Sequence, residues 1–111
     1  MYSQDFTRSD RISDQIRSEI SFVLKDQVKD PRLLGLTIIK VETTKDLKKA
    51  YIYYSTYNSF NQTKSEEVER GLQKAKGFIR KLLSQRLTIK RVPEICFMKD
   101  EKHLVTLREA N

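Results

Sequence analysis

Two adjacent β-strand patterns in the middle of the chain constrain its fold more than any other feature. Residues 36–44 read Leu-Thr-Ile-Ile-Lys-Val-Glu-Thr-Thr, and residues 50–57 read Ala-Tyr-Ile-Tyr-Tyr-Ser-Thr-Tyr. Both segments are rich in β-branched or aromatic residues and alternate along their length, which is typical of strands. The polar link 45–49 between them is short. We therefore predict a β-hairpin, one face of which belongs to the core.

The alternation assigns each side chain of the hairpin to a face. In the first strand one face carries Ile39, Val41 and Thr43, and the other carries Ile38, Lys40 and Glu42. In the second strand one face carries Ala50, Ile52, Tyr54 and Thr56, and the other carries Tyr51, Tyr53, Ser55 and Tyr57. Tyr51, Tyr53 and Tyr57 could stack on RNA bases if their face is open, but we favour a structural role for at least two of them.

Helical periodicity flanks the hairpin on both sides. Before it, apolar residues recur at Ile12, Ile16, Ile20, Val23 and Leu24. This predicts an amphipathic helix with Ser9 as N-cap that ends before Asp30-Pro31. After it, a second stripe follows a Thr63/Glu66 capping box and runs through Val68, Leu72, Ala75, Ile79, Leu82 and Leu83. Gly77 interrupts this stripe at a cost of about 1 kcal/mol relative to alanine, so the pattern alone leaves a straight or a broken helix open.

A third strand, 94–99, follows Pro93. The order of elements predicts an α+β domain with a three-stranded sheet and helices packed on one face. We expect residues 1–8 to form a flexible N-terminal arm, residues 9–100 the folded domain and residues 101–111 a C-terminal tail. A chain of 111 residues suits this single domain.

The net charge of the chain indicates which class of partner it binds. The formal net charge is +7, with 22 Lys and Arg against 15 Asp and Glu, which favours a polyanion such as nucleic acid. No apolar run approaches the roughly 20 residues of a membrane span, and the N-terminus does not read as a signal peptide, so we expect a cytoplasmic protein. The chain has one cysteine, Cys96, one histidine, His103, and no glycine-rich phosphate loop. We therefore expect no catalytic residue, no metal site, no cofactor and no small-molecule substrate.

The segment 70–92 contains no Asp or Glu but eight basic residues: Arg70, Lys74, Lys76, Arg80, Lys81, Arg86, Lys90 and Arg91. At about 100° per residue, Arg70, Lys74 and Lys81 fall opposite the apolar stripe, and Lys76 and Arg80 form a second row. Solvated helix faces usually mix both signs, so an acid-free face favours a phosphate backbone as partner. The hairpin tip, with Lys45, Lys48 and Lys49, could be a second phosphate contact or an ordinary solvated turn. These patterns favour RNA binding and leave two alternatives, a module for an acidic protein and a small nuclease.

The chain also resembles bacterial ribosome-binding factor A over roughly residues 5–100. The similarity lies in Arg8-Ser-Asp-Arg-Ile-Ser-Asp-Gln-Ile, Val28-Lys-Asp-Pro-Arg-Leu, Val41-Glu-Thr-Thr-Lys-Asp-Leu, Ala50-Tyr-Ile-Tyr-Tyr-Ser, Leu72-Gln-Lys-Ala-Lys-Gly-Phe-Ile-Arg, Arg86-Leu-Thr-Ile-Lys-Arg-Val-Pro-Glu and Phe97-Met-Lys-Asp-Glu. The order and spacing of these pieces carry the resemblance, because each alone is common.

This resemblance implies a type II KH-like fold in which a kinked Ala-x-Gly motif replaces the usual G-x-x-G loop. Here the motif is Ala75-Lys76-Gly77, so the helix is expected to break near Gly77. The family resemblance further implies a non-enzymatic assembly factor that binds the immature small (30S) ribosomal subunit and its 16S rRNA, and we expect it to be a monomer. It implies a role in late maturation and 5′-end processing of that RNA, most important in the cold. Lys74, Lys76, Arg80 and Lys81 would face the RNA.

Overall fold

A computed structural model describes residues 7–56 and 65–100. In chain order the elements are α1 (Arg8–Phe22), β1 (Thr37–Thr43), β2 (Lys49–Ser55), α2 (Ser65–Arg86) and β3 (Glu94–Lys99). A π-helical turn, Val23–Gln27, continues α1, and a 3-10 turn, Pro31–Leu33, precedes β1. The predicted α+β class with a three-stranded sheet is confirmed. Thr63 of the predicted capping box and the predicted tail 101–111 lie outside the described residues.

The first helix begins one turn of chain earlier than its apolar stripe. Thr7 is the N-cap, because its hydroxyl accepts a hydrogen bond from the Asp10 amide at 3.2 Å while the Asp10 carboxylate accepts one from the Thr7 amide at 3.0 Å. This reciprocal capping box satisfies two amides that would otherwise lack partners. The prediction of Ser9 as N-cap is therefore wrong. Residues 1–6 of the predicted arm lie outside the described residues, and Arg8 already belongs to α1.

The three strands lie in the order β1-β2-β3, with β1 antiparallel to β2 and β3 parallel to β2. The predicted hairpin is confirmed, and Ala50, Ile52 and Tyr54 on its core face are 0%, 0% and 2% exposed. They pack with the stripes of α1 and α2, including Ile16, Ile20, Leu72 and Ile79. The helices therefore cover one face of the sheet, as predicted.

A β-bulge in β1 makes the predicted assignment of side chains to the two faces of this strand wrong at Ile39. Ile38 pairs with Tyr54 and Lys40 with Tyr53, so Ile39 is an extra residue in the ladder. The bulge shifts the alternation by one residue. As a result Ile38, not Ile39, packs against the core together with Val41. Grouping Ile39 with Val41 is wrong, because strict alternation cannot register an inserted residue.

The second helix runs without a break from Ser65 to Arg86. The predicted interruption near Gly77 is therefore wrong. Gly77 does not adopt the left-handed backbone conformation, which among the glycines occurs only at Gly35. Ile79 and Leu83, just beyond Gly77, are fully buried. Burying two such side chains contributes about 1.5–3 kcal/mol each, which outweighs the roughly 1 kcal/mol cost of one glycine.

The other helical glycine serves packing. A Cβ at Gly71 would lie 3.2 Å from Leu33 Cδ2 and 3.3 Å from an Asp30 carboxylate oxygen. Asp30 caps the 3-10 turn by accepting from the Arg32 amide at 3.0 Å, and the Arg32 guanidinium binds its carboxylate at 2.8 Å. This hydrogen-bonded guanidinium holds the pKa of Asp30 below its usual range. Gly71 thus lets the loop before β1 lie directly against α2.

Gly77→Ala is expected to raise the free energy of unfolding by about 0.5–1 kcal/mol, because alanine is the better helix former and its Cβ would meet nothing within 4 Å. Urea denaturation measures this. Gly71→Ala is the matched control, and it should gain less or lose stability because its Cβ is crowded. A loss of stability in Gly77→Ala would mean that the helix is interrupted there after all.

Candidate nucleic-acid interface

The side of α2 that faces away from the sheet is basic. Burial of Val68, Leu72, Ile79 and Leu83 against the core turns the opposite side outward. Arg70, Lys74, Arg80 and Lys81 are exposed there, and Lys76 is half-buried. Among the residues that the structure describes, Arg70, Lys74, Lys76 and Lys81 form no ion pair. Arg70 and Lys74 nevertheless share a groove with Glu66 and Glu69, and the charge of Lys74, after the Arg32 hydrogen bond, helps to lower the pKa of Asp30.

Arg80 connects α2 to the segment that leads into β3. Its guanidinium Nη2 donates a hydrogen bond to the Val92 carbonyl at 3.0 Å. The two preceding residues, Lys90 and Arg91, are exposed. This contact holds them beside the row formed by Lys76 and Arg80.

The parallel pairing of β2 and β3 brings the hairpin tip to the same end of the sheet. The Glu94 amide donates to the Lys48 carbonyl at 2.8 Å, and Lys49 pairs with Glu94 in the ladder. Lys48 and Lys49 therefore lie next to the segment that carries Lys90 and Arg91. We call the resulting surface the basic strip; it consists of Lys76, Arg80, Lys90, Arg91, Lys48 and Lys49.

The remaining lysine of the hairpin tip has different surroundings. Lys45 lines a groove together with Asp10, Asp14 and Glu42, so its neighbours are acidic. Asp46 shapes the turn itself by accepting from the Thr44 hydroxyl at 2.7 Å and the Lys48 amide at 3.1 Å. The Thr44 hydrogen bond lowers the pKa of Asp46. The structure thus joins Lys48 and Lys49 to the strip and places Lys45 apart from it.

Arg86 differs from the other basic residues of this segment. Its guanidinium forms an ion pair with Glu19 of α1 and lies over the Phe22 ring, 4.9 Å from the ring centroid. These contacts join the end of α2 to the end of α1. The sequence analysis did not predict this cluster, because Arg86 and Glu19 are 67 residues apart in the chain.

The uncovered face of the sheet carries the tyrosines that the sequence singled out. Tyr51 and Tyr53 are half-buried there, and Tyr57 lies outside the described residues. The Lys40 ammonium lies 4.8 Å from the centroid of the Tyr53 ring. Burial, together with the neighbouring Glu42 carboxylate, raises the pKa of Tyr53. One face of this ring is therefore already occupied by a cation.

Within residues 7–56 and 65–100, no three His, Cys, Asp or Glu side chains come together as a metal site would require. No helix in these ranges is long and apolar enough to cross a membrane. His103 lies outside the described residues, and Cys96 is half-buried on β3.

Fold and surface together define a small α+β domain with one strongly basic side, the arrangement typical of nucleic-acid-binding domains. The family model described as ribosome-binding factor A matches residues 8–107. The chain belongs to the ribosome-binding factor A family. Its layers are consistent with the KH-like fold that the sequence resemblance implies.

Individual relatives agree with this assignment. Ribosome-binding factor A of Pediococcus pentosaceus is 45% identical over 94 residues, which cover 85% of this chain and 80% of the relative. The crystal structure of ribosome-binding factor A from Thermus thermophilus superposes with a TM-score of 0.72 at 23% identity, covering 82% of this chain and 93% of that one, and so shows the same fold. A homology model of the Thermus thermophilus factor has been fitted into a cryo-EM map of a 30S complex. It superposes with a TM-score of 0.57 at 24% identity, covering 82% of this chain and 89% of that one.

Proposed function

We propose that this chain is a non-enzymatic assembly factor that binds the immature 30S subunit through its 16S rRNA and assists late maturation and 5′-end processing of that RNA, above all in the cold. The observation that carries the proposal is the joined basic surface. α2 presents Arg70, Lys74 and Lys81, and the basic strip continues from Lys76 and Arg80 to the hairpin tip. A Thermus thermophilus member of the same family has been placed in a 30S complex.

The chemistry of this surface suits phosphate. Lysine and arginine side chains that bind the phosphates of RNA release counterions from it. The rows on α2 and the strip lie on different elements, so together they can contact a folded RNA at several separate phosphates. Binding and positioning of RNA need no catalytic group, which is why we propose an assembly factor and not a nuclease.

Binding to small ribosomal subunits is expected to weaken steeply with salt. With six to ten phosphate contacts, affinity should fall by about a thousand-fold or more between about 50 and about 200 mM salt. Co-sedimentation of the purified chain with free small subunits over a salt series measures this.

RNase treatment of the captured complex provides the control. Contacts that survive both RNase and high salt would contradict the proposal and support the alternative of an acidic protein partner. Subunits stripped of bound factors by a high-salt wash beforehand ensure that the measured contact is made by this chain itself.

A further inference from the structure

The largest apolar side chain on the exposed side of α2 is Phe78. It is 45% exposed and belongs to neither core cluster. On a helix, residues three and four apart are surface neighbours. Lys74 and Lys81 therefore flank Phe78, one turn before it and one turn after it. The ring lies beside the row formed by Arg70, Lys74 and Lys81, on the side nearer the core.

Single exposed apolar residues are common and usually need no explanation. Phe78 differs from the comparable Phe22, which is 40% exposed but has the Arg86 guanidinium over its ring. In the described part of the chain Phe78 has no ring or cation partner. The residue before it, Gly77, is not required by the fold, because a Cβ there would meet nothing within 4 Å. A glycine that lowers helix stability and an exposed phenylalanine thus follow one another on the basic side, and local departures from stability of this kind are expected at functional sites.

We propose that Phe78 is a stacking platform for an unpaired nucleobase of the RNA. The proposal rests on the proposed function and adds to it a preference for unpaired over double-stranded RNA. Lys74 and Lys81 would hold the phosphates on either side of one nucleotide, and bare backbone at Gly77 leaves room for the sugar-phosphate chain. The base would then lie on the Phe78 ring, as bases do on aromatic side chains of single-strand-binding proteins. In a duplex both faces of each base are covered, so the ring favours an unpaired site.

Phe78→Ala is expected to weaken binding to free small subunits by about 5- to 150-fold. Because phenylalanine carries no charge, the slope of log affinity against log salt should not change. Phe78→Tyr, which keeps the ring, should retain wild-type affinity, and Phe78→Leu, which keeps only apolar bulk, should not. Met98→Ala is the matched control, since Met98 is 42% exposed on β3, away from α2. Urea denaturation should show that all these variants fold.

A fluorescence measurement reports stacking directly. The chain contains no tryptophan, so Phe78→Trp introduces a single indole. Its emission should be quenched on binding of small subunits and should recover on RNase treatment. Unchanged affinity of Phe78→Ala, full rescue by Phe78→Leu, or unquenched indole emission in the bound state would each overturn the proposal.

The same series separates this proposal from the proposed function. If removing the charges of Lys74 and Lys81 reduces the salt slope while Phe78→Ala has no effect, the RNA surface stands and stacking fails. If the wild-type chain does not bind small subunits at all, both fail together.

Discussion

Reversing the charge of four residues on α2 is expected to reduce the affinity for small ribosomal subunits by about a thousand-fold or more. The substitutions are Lys74→Glu, Lys76→Glu, Arg80→Glu and Lys81→Glu. Each lost phosphate contact should lower the salt slope by roughly 0.7–0.9, and each new carboxylate repels the RNA in addition. Co-sedimentation and a salt series measure both effects. The four side chains lie outside the core, so the variant should remain folded, with a modest loss from the Arg80–Val92 hydrogen bond.

A second charge-reversed variant shows whether position or net charge matters. Arg8, Arg17, Lys25 and Lys29 are also exposed but lie on α1 and in the residues that follow it. Changing these four to glutamate alters the net charge by the same amount, from +7 to about −1. This variant should lose far less affinity and keep most of the salt slope. Equal loss in both variants would mean that α2 is not the RNA-binding surface.

Ile52→Ala is expected to lower the free energy of unfolding by about 2–5 kcal/mol. Ile52 is fully buried in β2, the central strand, where it pairs with Val41 on one side and Phe97 on the other. Truncating it leaves a cavity between the sheet and both helices. Domains of this size have total stabilities of about 5–15 kcal/mol, so the variant should be marginal at physiological temperature. Thermal unfolding should show a melting temperature lower by about 10–20 °C.

Ile52→Val is the matched control, because it removes one methyl group and should cost only about 0.5–1.5 kcal/mol. RNA binding of Ile52→Ala at low temperature, where it is still folded, should match the wild-type chain. A loss of less than 1 kcal/mol in Ile52→Ala would show that the core between β2 and the helices is looser than the structure indicates. Reduced RNA binding by a fully folded Ile52→Ala variant would mean that the geometry of the basic surface depends on the packing of the core beneath it.

Much of this fold could be predicted because periodicity is a property of the chain itself. The apolar stripe of α2 contains the information that its opposite side, with Lys74 and Lys81, faces solvent. The alternation of Ala50, Ile52 and Tyr54 likewise identified a core face that the structure confirms. The position of the helix start at Thr7 could also have been found from the sequence, since Thr7 and Asp10 have the spacing of a capping box.

The predictions at Gly77 and Ile39 failed because they depend on contacts with other parts of the fold. Whether a glycine breaks a helix depends on how much apolar surface the residues after it bury. Ile79 and Leu83 bury their side chains only once α2 packs on the sheet. Whether a strand contains a bulge depends on its pairing with a neighbour, so the extra residue at Ile39 exists only relative to β2. Neither quantity is a local property of the chain.

The sequence by itself thus determined the approximate positions of the helical segments and of the three strands, and the sign of charge on the exposed side of α2. Only the tertiary structure decided which distant basic residues lie together. The parallel pairing of β3 with β2 places Lys48 and Lys49 beside Lys90 and Arg91, and Arg80 bonds to Val92 to continue the strip onto α2. The same packing separates Lys45 from the strip and engages Arg86 with Glu19. The physical reason is that strand order and helix docking are set by long-range burial, which no local pattern of residues encodes.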